Sequence, residues 1–293
     1  MWEWNDPSSL LRCSRYSFCR VADDLVDNGS TENEAREWIA KLTRYLDLAY
    51  ASKEARIVSQ QPDVKSYIPD NFPEASQSAL GLLPTHIIPY GPLYELLEGF
   101  KTDLEFHDCN FSKDLQVFPI ADEHDLETYA AQVAGTVGEM CLELVFHHSS
   151  PAMTVNQREH LLRAGGRMGI ALQYVNIARD IATDAAIRRI YLPTTWLKEV
   201  GITAQNVLEK PDGPVMEKLR ARLLDKAFRE YKEAQPALSQ LPYDARAPMR
   251  VAVESYMEIG RVLSERGYKV KEGKATVPNT RRLKVAWKAL SQG

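Results

Sequence analysis

Two groups of oxygen-bearing side chains stand far apart in this chain, each at the spacing of a helix. The first is Asp23-Asp24-Leu25-Val26-Asp27; the second is Gln173, Asn176, Asp180 and Asp184. Asp23 and Asp27 are one helical turn apart, so their carboxylates stack on one face. At about 100° per residue the four residues of the second group fall within an arc of roughly 80°. Each group is therefore a carboxylate-rich stripe on a single helix. Like charges one turn apart destabilise a helix, so two such stripes imply a cation held against them. Ligand sets made only of oxygen suit hard cations such as Mg²⁺, which keep some water and bridge to phosphate oxygens. The leading chemistry is a Mg²⁺–diphosphate site.

Each stripe has a plainer reading. An acidic run such as Asp23–Asp27 is commonly a solvated helix face or, with Arg20 three residues before it, a salt-bridge network. The same arginine would equally serve to grip a phosphate oxygen, and Tyr16 falls on the same face. An EF-hand loop is excluded: counted from Asp24, position three is Val26 and position twelve is Ala35. The second stripe is more specific, because Met168, Ile170, Leu172, Val175, Ile177 and Ile181 cover the other faces of its helix. Carboxylates so enclosed need partners, and Arg179, Arg188 and Arg189 are near enough in sequence to supply them.

The elements that must carry these groups read as helical almost throughout. Apolar residues recur at three- and four-residue spacing over 10–27, 31–52, 92–106, 125–147, 156–184, 214–233 and 245–270. The fold class is all-α. Thr31, Asp122 and Thr154 are placed as N-caps, and Pro193 is expected to break the long helix carrying the second stripe. The stretch from Gln60 to Pro92 holds six prolines and reads as a long surface excursion with one short helix. Gly135 and Gly138 interrupt an apolar helix. Close helix–helix contact explains them at least as well as room for a bulky apolar ligand.

Composition narrows the classes. With 293 residues, 44% hydrophobic and 26% charged, the chain suits one large globular core. A net charge of −4 argues against general nucleic-acid binding. Arg281, Arg282, Lys284 and Lys288 cluster near the C-terminal end, where a solvated helix face accounts for them. Cys13, Cys19, Cys109 and Cys141 show neither metal nor disulfide-framework spacing, as in a reducing compartment. No apolar run is long enough to span a bilayer and no signal peptide is seen, so a cytoplasmic location or a peripheral membrane contact is expected. No nucleophile elbow, P-loop or dinucleotide fingerprint occurs.

Three motifs in order resemble the squalene/phytoene synthase family. Segment 16–27, with Tyr16, Arg20, Asp23 and Asp27, is similar to its first aspartate-rich motif. Segment 173–184, followed by Arg189-Ile190-Tyr191-Leu192-Pro193, is similar to its second, and 133–139 to its intervening glycine helix. The wording is most like the phytoene synthase half of fungal bifunctional lycopene cyclase/phytoene synthases. The resemblance implies an isoprenoid-synthase helical bundle around a central cavity, with residues 1–293 as a single domain. It implies head-to-head condensation of two geranylgeranyl diphosphates to phytoene through a cyclopropyl diphosphate, in carotenoid biosynthesis. By motif match Asp23, Asp27, Asp180 and Asp184, assisted by Asn176, would hold Mg²⁺ (or Mn²⁺). Arg20, Arg179 and Tyr256 would steady phosphate oxygens, with Tyr16 and Gln173 beside them, while Tyr129 and Gly135–Gly138 would line the prenyl pocket. No NADPH is expected.

The resemblance also places a diphosphate-binding helix well before the first aspartate motif, and Met1–Leu11 does not match it, so a shortened N-terminus is expected. Two alternatives stay open: a squalene- or dehydrosqualene-type synthase acting on farnesyl diphosphate, and a truncated, non-catalytic protein that retains the fold.

Overall fold

The computed structural model describes residues 18–29, 31–51, 58, 61–109, 111, 118–149, 152–265 and 277–291. Among them every regular element is helical. The chain divides between Leu104 and Glu105 into two compact units.

The first unit contains α1 (residues 18–27), α2 (Glu32–Ala51), α3 (Pro62–Asn71), α4 (Glu74–Gly81) and most of α5 (Tyr90–Glu105). Phe18, Ala22 and Val26 recur every fourth residue and are buried, which leaves Arg20, Asp23 and Asp27 on the opposite face of α1. Thr31 caps α2, its Oγ1 accepting from the Glu34 amide at 3.2 Å. Phe18 stacks on Tyr45 of α2, whose hydroxyl donates to the Leu80 carbonyl at 2.6 Å.

The stretch from Gln60 to Pro92 corrects the expectation of a surface excursion. It forms two helices, and Val64, Ile68, Phe72, Leu80, Leu83 and Ile88 are buried. Its prolines sit where a helix needs no amide donor: Pro62 opens α3 and Pro73 is the N-cap of α4. Pro92 falls in the first turn of α5, and of these prolines Pro69 alone lies beyond the first turn of a helix.

The second unit is organised on α8 (Val155–Ala186), a 32-residue helix opened by a reciprocal cap between Thr154 and Gln157. Against α8 lie α6 (Glu123–Ala130), α7 (Thr136–Ser149), α10 (Ala204–Glu209), α11 (Pro214–Ala234) and α12 (Tyr243–Leu263). The short α9 (Thr194–Glu199), a 3₁₀ turn at Gln235–Gln240 and α13 (Asn279–Ser291) complete it. Tyr174, Val175, Ala178, Trp196, Leu223, Ala227 and Met257 lie in its apolar core.

Three expectations are refined here. The helix expected over 125–147 is broken by a π turn at Ala131–Gly135 that joins α6 to α7. Pro193 does not end α8. The helix stops at Ala186, and Arg188 turns left-handed (φ 61°) so that its amide meets the Ala185 carbonyl and the Arg189 amide that of Asp184. That is the paired closure usually built on glycine; Pro193 instead serves as the N-cap of α9. Finally, Arg281 is not simply solvated, since it pairs with Glu258 and Glu265.

Candidate active site

The second stripe exists as read. Gln173, Asn176, Asp180 and Asp184 lie along one continuous helix, and all four are half-buried. Met168, Ala171, Val175, Ile177, Ala178 and Ile181 bury the remaining faces of the same segment. Asp184 stands in the last turn, where the negative end of the helix dipole disfavours a carboxylate.

Arg179 organises the middle of the stripe. Its Nε donates to Asp180 Oδ1 at 2.8 Å and its Nη2 to Asp180 Oδ2 at 2.5 Å. Nη2 also reaches Asn176 Oδ1 at 2.5 Å. The hydrogen bonds it donates to Asp180 raise the arginine's pKa still further, against the opposing effect of burial. From α12, the Tyr256 hydroxyl donates to the same Asn176 Oδ1 at 2.9 Å. One amide oxygen thus accepts from two donors on two helices. Arg188, expected near the acids, is drawn off over the Phe111 ring at 4.9 Å by its left-handed backbone.

In the first unit Arg20 pairs with Asp23 at 3.4 Å and Asp24 at 2.8 Å, all well exposed. Asp27 is exposed one turn on. Tyr16 and Met1–Leu11 lie outside the described residues. Tyr129 is buried and stacks on Tyr191, with ring centroids 4.9 Å apart; Tyr191 in turn meets Phe106 edge-on.

Gly135 and Gly138 are explained by close approach. A Cβ on Gly138 would lie 2.3 Å from the Gly165 carbonyl oxygen, and one on Gly135 3.3 Å from that of Gly166. The partner surface on α8 is also glycine: a Cβ on Gly169 would lie 2.1 Å from the Ala134 carbonyl oxygen. The sequence reading overlooked Gly165, Gly166 and Gly169, although three glycines within one turn and a half of helix are a visible signal of such contact.

Among the described residues no three carboxylate, histidine or cysteine side chains converge as a protein-only metal cage. The stripes nevertheless fit Mg²⁺ by donor chemistry, because they present carboxylate and amide oxygens with no sulfur or imidazole. This cation is typically held by one or two carboxylates, with water and substrate phosphates completing the shell. A separate depression of 340 Å³, lined by Asp122, Glu123, His124, Thr195, Trp196, Glu199 and Arg222, includes none of the stripe residues.

With this geometry in view, the comparisons with known proteins agree on a class. The squalene/phytoene synthase family profile matches residues 13–285, and the chain belongs to that family. Its fold is the all-α isoprenoid-synthase fold. A dehydrosqualene synthase matches with a TM-score of 0.70, at 22% identity, over 97% of this chain and 86% of its own. A squalene synthase of Alicyclobacillus acidocaldarius matches with 0.63, at 20% identity, over 89% and 86%.

More particularly, the chain is 50% identical over 277 residues to the bifunctional lycopene cyclase/phytoene synthase of Phaeosphaeria nodorum, and 51% identical over 287 residues to that of Neurospora crassa. These alignments cover 94% of this chain and 45% and 47% of the two relatives, so it spans about half their length.

Proposed function

We propose that this chain is a prenyltransferase of the phytoene synthase type, condensing two geranylgeranyl diphosphates head-to-head through a cyclopropyl diphosphate. The observation that carries this reading is the Arg179–Asp180–Asn176–Tyr256 constellation on a half-buried stripe. It holds oxygen donors and a guanidinium side by side, as ionisation of a diphosphate demands. The relatives named bifunctional lycopene cyclase/phytoene synthase, about 50% identical over the half of their length that this chain spans, support the same choice.

The residues divide the work by chemistry. Asp23, Asp27, Asp180 and Asp184, with Asn176, would hold Mg²⁺, which when bound offsets the charge of the departing diphosphate. Arg179 and Arg20 each carry guanidinium donors now spent on neighbouring aspartates, and those donors would turn to phosphate oxygens. Tyr256 fixes the orientation of Asn176, with Gln173 continuing the polar edge one turn earlier. The allylic cation left behind needs a dry, apolar wall. Tyr129 stacked on Tyr191 supplies aromatic surface suited to it, and the Gly135–Gly138 contact sets how closely α7 approaches α8. Residues 1–293 would act as one catalytic domain.

The test is incubation with geranylgeranyl diphosphate and Mg²⁺, with mass analysis of the organic extract. A forty-carbon hydrocarbon made without NADPH is expected. A thirty-carbon product from farnesyl diphosphate alone would transfer the chain to the squalene class. Tight diphosphate binding with no hydrocarbon from either substrate would mark a non-catalytic relative.

A further inference from the structure

The last helix contributes no residue to the candidate active site. α13 spans Asn279–Ser291, and three of the eight exposed large apolar side chains of the described residues lie on it: Leu283 (73% exposed), Trp287 (76%) and Leu290 (53%). Their spacing of four and three residues gathers them into one stripe. Trp287 and Leu290 lie beyond residue 285, where the family match ends.

The opposite face is fastened. Ala289 is buried, and Arg281 donates from Nε to Glu258 Oε1 of α12 at 2.5 Å and also pairs with Glu265. Glu258 is itself buried and bridged by Arg261. These contacts hold the helix against α12 and fix the leucines and the tryptophan outward. Arg282, Lys284 and Lys288 are exposed around the apolar stripe, and α13 contains no acid although the chain as a whole carries −4.

We propose that this face of α13 docks on an anionic lipid surface, lying in the plane of the interface. An exposed apolar stripe of leucine and tryptophan rimmed by lysine and arginine is the pattern of interfacial helices. Tryptophan favours the headgroup level, where its ring is buried and its N–H is solvated. The local positive charge complements anionic headgroups, whereas the net negative charge of the chain opposes non-specific binding. Thirteen residues make a helix of roughly 20 Å, too short to cross a bilayer. No helix of the described residues is long and apolar enough to do so. Docking here goes beyond the proposed reaction and does not depend on it.

The whole chain is mixed with phosphatidylcholine vesicles, with and without phosphatidylserine, and sedimented; no substrate is present, so failure of the catalytic reading leaves the result untouched. Binding to the anionic vesicles only is expected. Leu283→Ser combined with Trp287→Ser should abolish it, with the circular-dichroism melting curve unchanged because both side chains are exposed. Lys284→Ala with Lys288→Ala should weaken it roughly 30-fold at low salt, about fivefold for each lysine near the membrane. Absence of binding to either vesicle, or binding indifferent to both double variants, overturns the proposal. So does a dimer, measured by light scattering, that the Leu283/Trp287 variant dissolves, for that would assign the face to a second copy of the chain.

Discussion

Tyr256 and Asn176, eighty residues apart in sequence, are joined by a 2.9 Å hydrogen bond from the phenol to the amide oxygen. The bond ties α12 to the polar stripe of α8 and leaves Asn176 Oδ1 shared with Arg179. Tyr256→Phe removes one donor and no volume. The expected result is a loss of about 1 kcal/mol in stability and roughly tenfold weaker diphosphate binding, measured by denaturant titration and calorimetry. Tyr231→Phe is the control: its hydroxyl bonds Glu254, which is not a stripe residue, so stability should fall while diphosphate affinity does not.

Asp180→Ala tests the metal assignment. Asp180 and Arg179 keep about a quarter of their side chains exposed, so the chain should fold with only a modest loss of stability. Mg²⁺-dependent binding of diphosphate should disappear. Calorimetry showing unchanged binding in the folded variant would remove Asp180 from the site.

How much of this could be read beforehand differs by feature. The stripes were legible because they depend only on spacing within one helix, and α8 is continuous across the second. The Asn176–Tyr256 bond was not, since nothing local to either residue specifies a partner on another helix. The stretch 60–92 misleads because the number of its prolines says less than their positions: Val64, Ile68 and Phe72 already repeat every fourth residue, and Pro62 and Pro73 fall at helix starts. The end of α8 was hidden because the left-handed residue is Arg188 and not glycine. The basic cluster of α13 is legible in the sequence, whereas the exposure of the apolar stripe beside it is a tertiary property.

Gly138→Ala sets helix propensity against contact. Alanine gains about 1 kcal/mol in a helix interior, yet its methyl would meet backbone at 2.3 Å, which a packed interface does not absorb. Net destabilisation of about 1–3 kcal/mol is expected from overpacking. Gly91→Ala in α5 has nothing within 4 Å of the new methyl and should leave the melting temperature unchanged or slightly raised.

Acid stability should depend on Glu123. Burial would raise its pKa, but hydrogen bonds from Lys226, Arg222 and Trp196 outweigh it and hold the carboxyl at about 2. The folded value lies below the usual 4.5, so the unfolded chain takes up the proton first on acidification. The stabilisation is complete above that ordinary value and is lost as the pH falls from there toward 2. Glu123→Gln should lower the melting temperature at neutral pH and flatten its decline over that acid range. An unchanged acid profile would show that the network contributes nothing.

The π turn at Ala131–Gly135 acts as a phase shifter. A π turn accommodates an extra residue relative to the α-helical repeat, so α7 is rotated by roughly 100° about the axis compared with an unbroken α-helix. Upstream, Tyr129 is aimed at Tyr191; downstream, Gly138 is aimed at Gly165. A single regular helix would be out of step with one or the other. Deleting one residue from this turn would leave Gly138 and Gly165 in the chain, yet it would swing the glycine face of α7 away from α8. Two faces of one rod are thus set by a frame offset of a single amino acid.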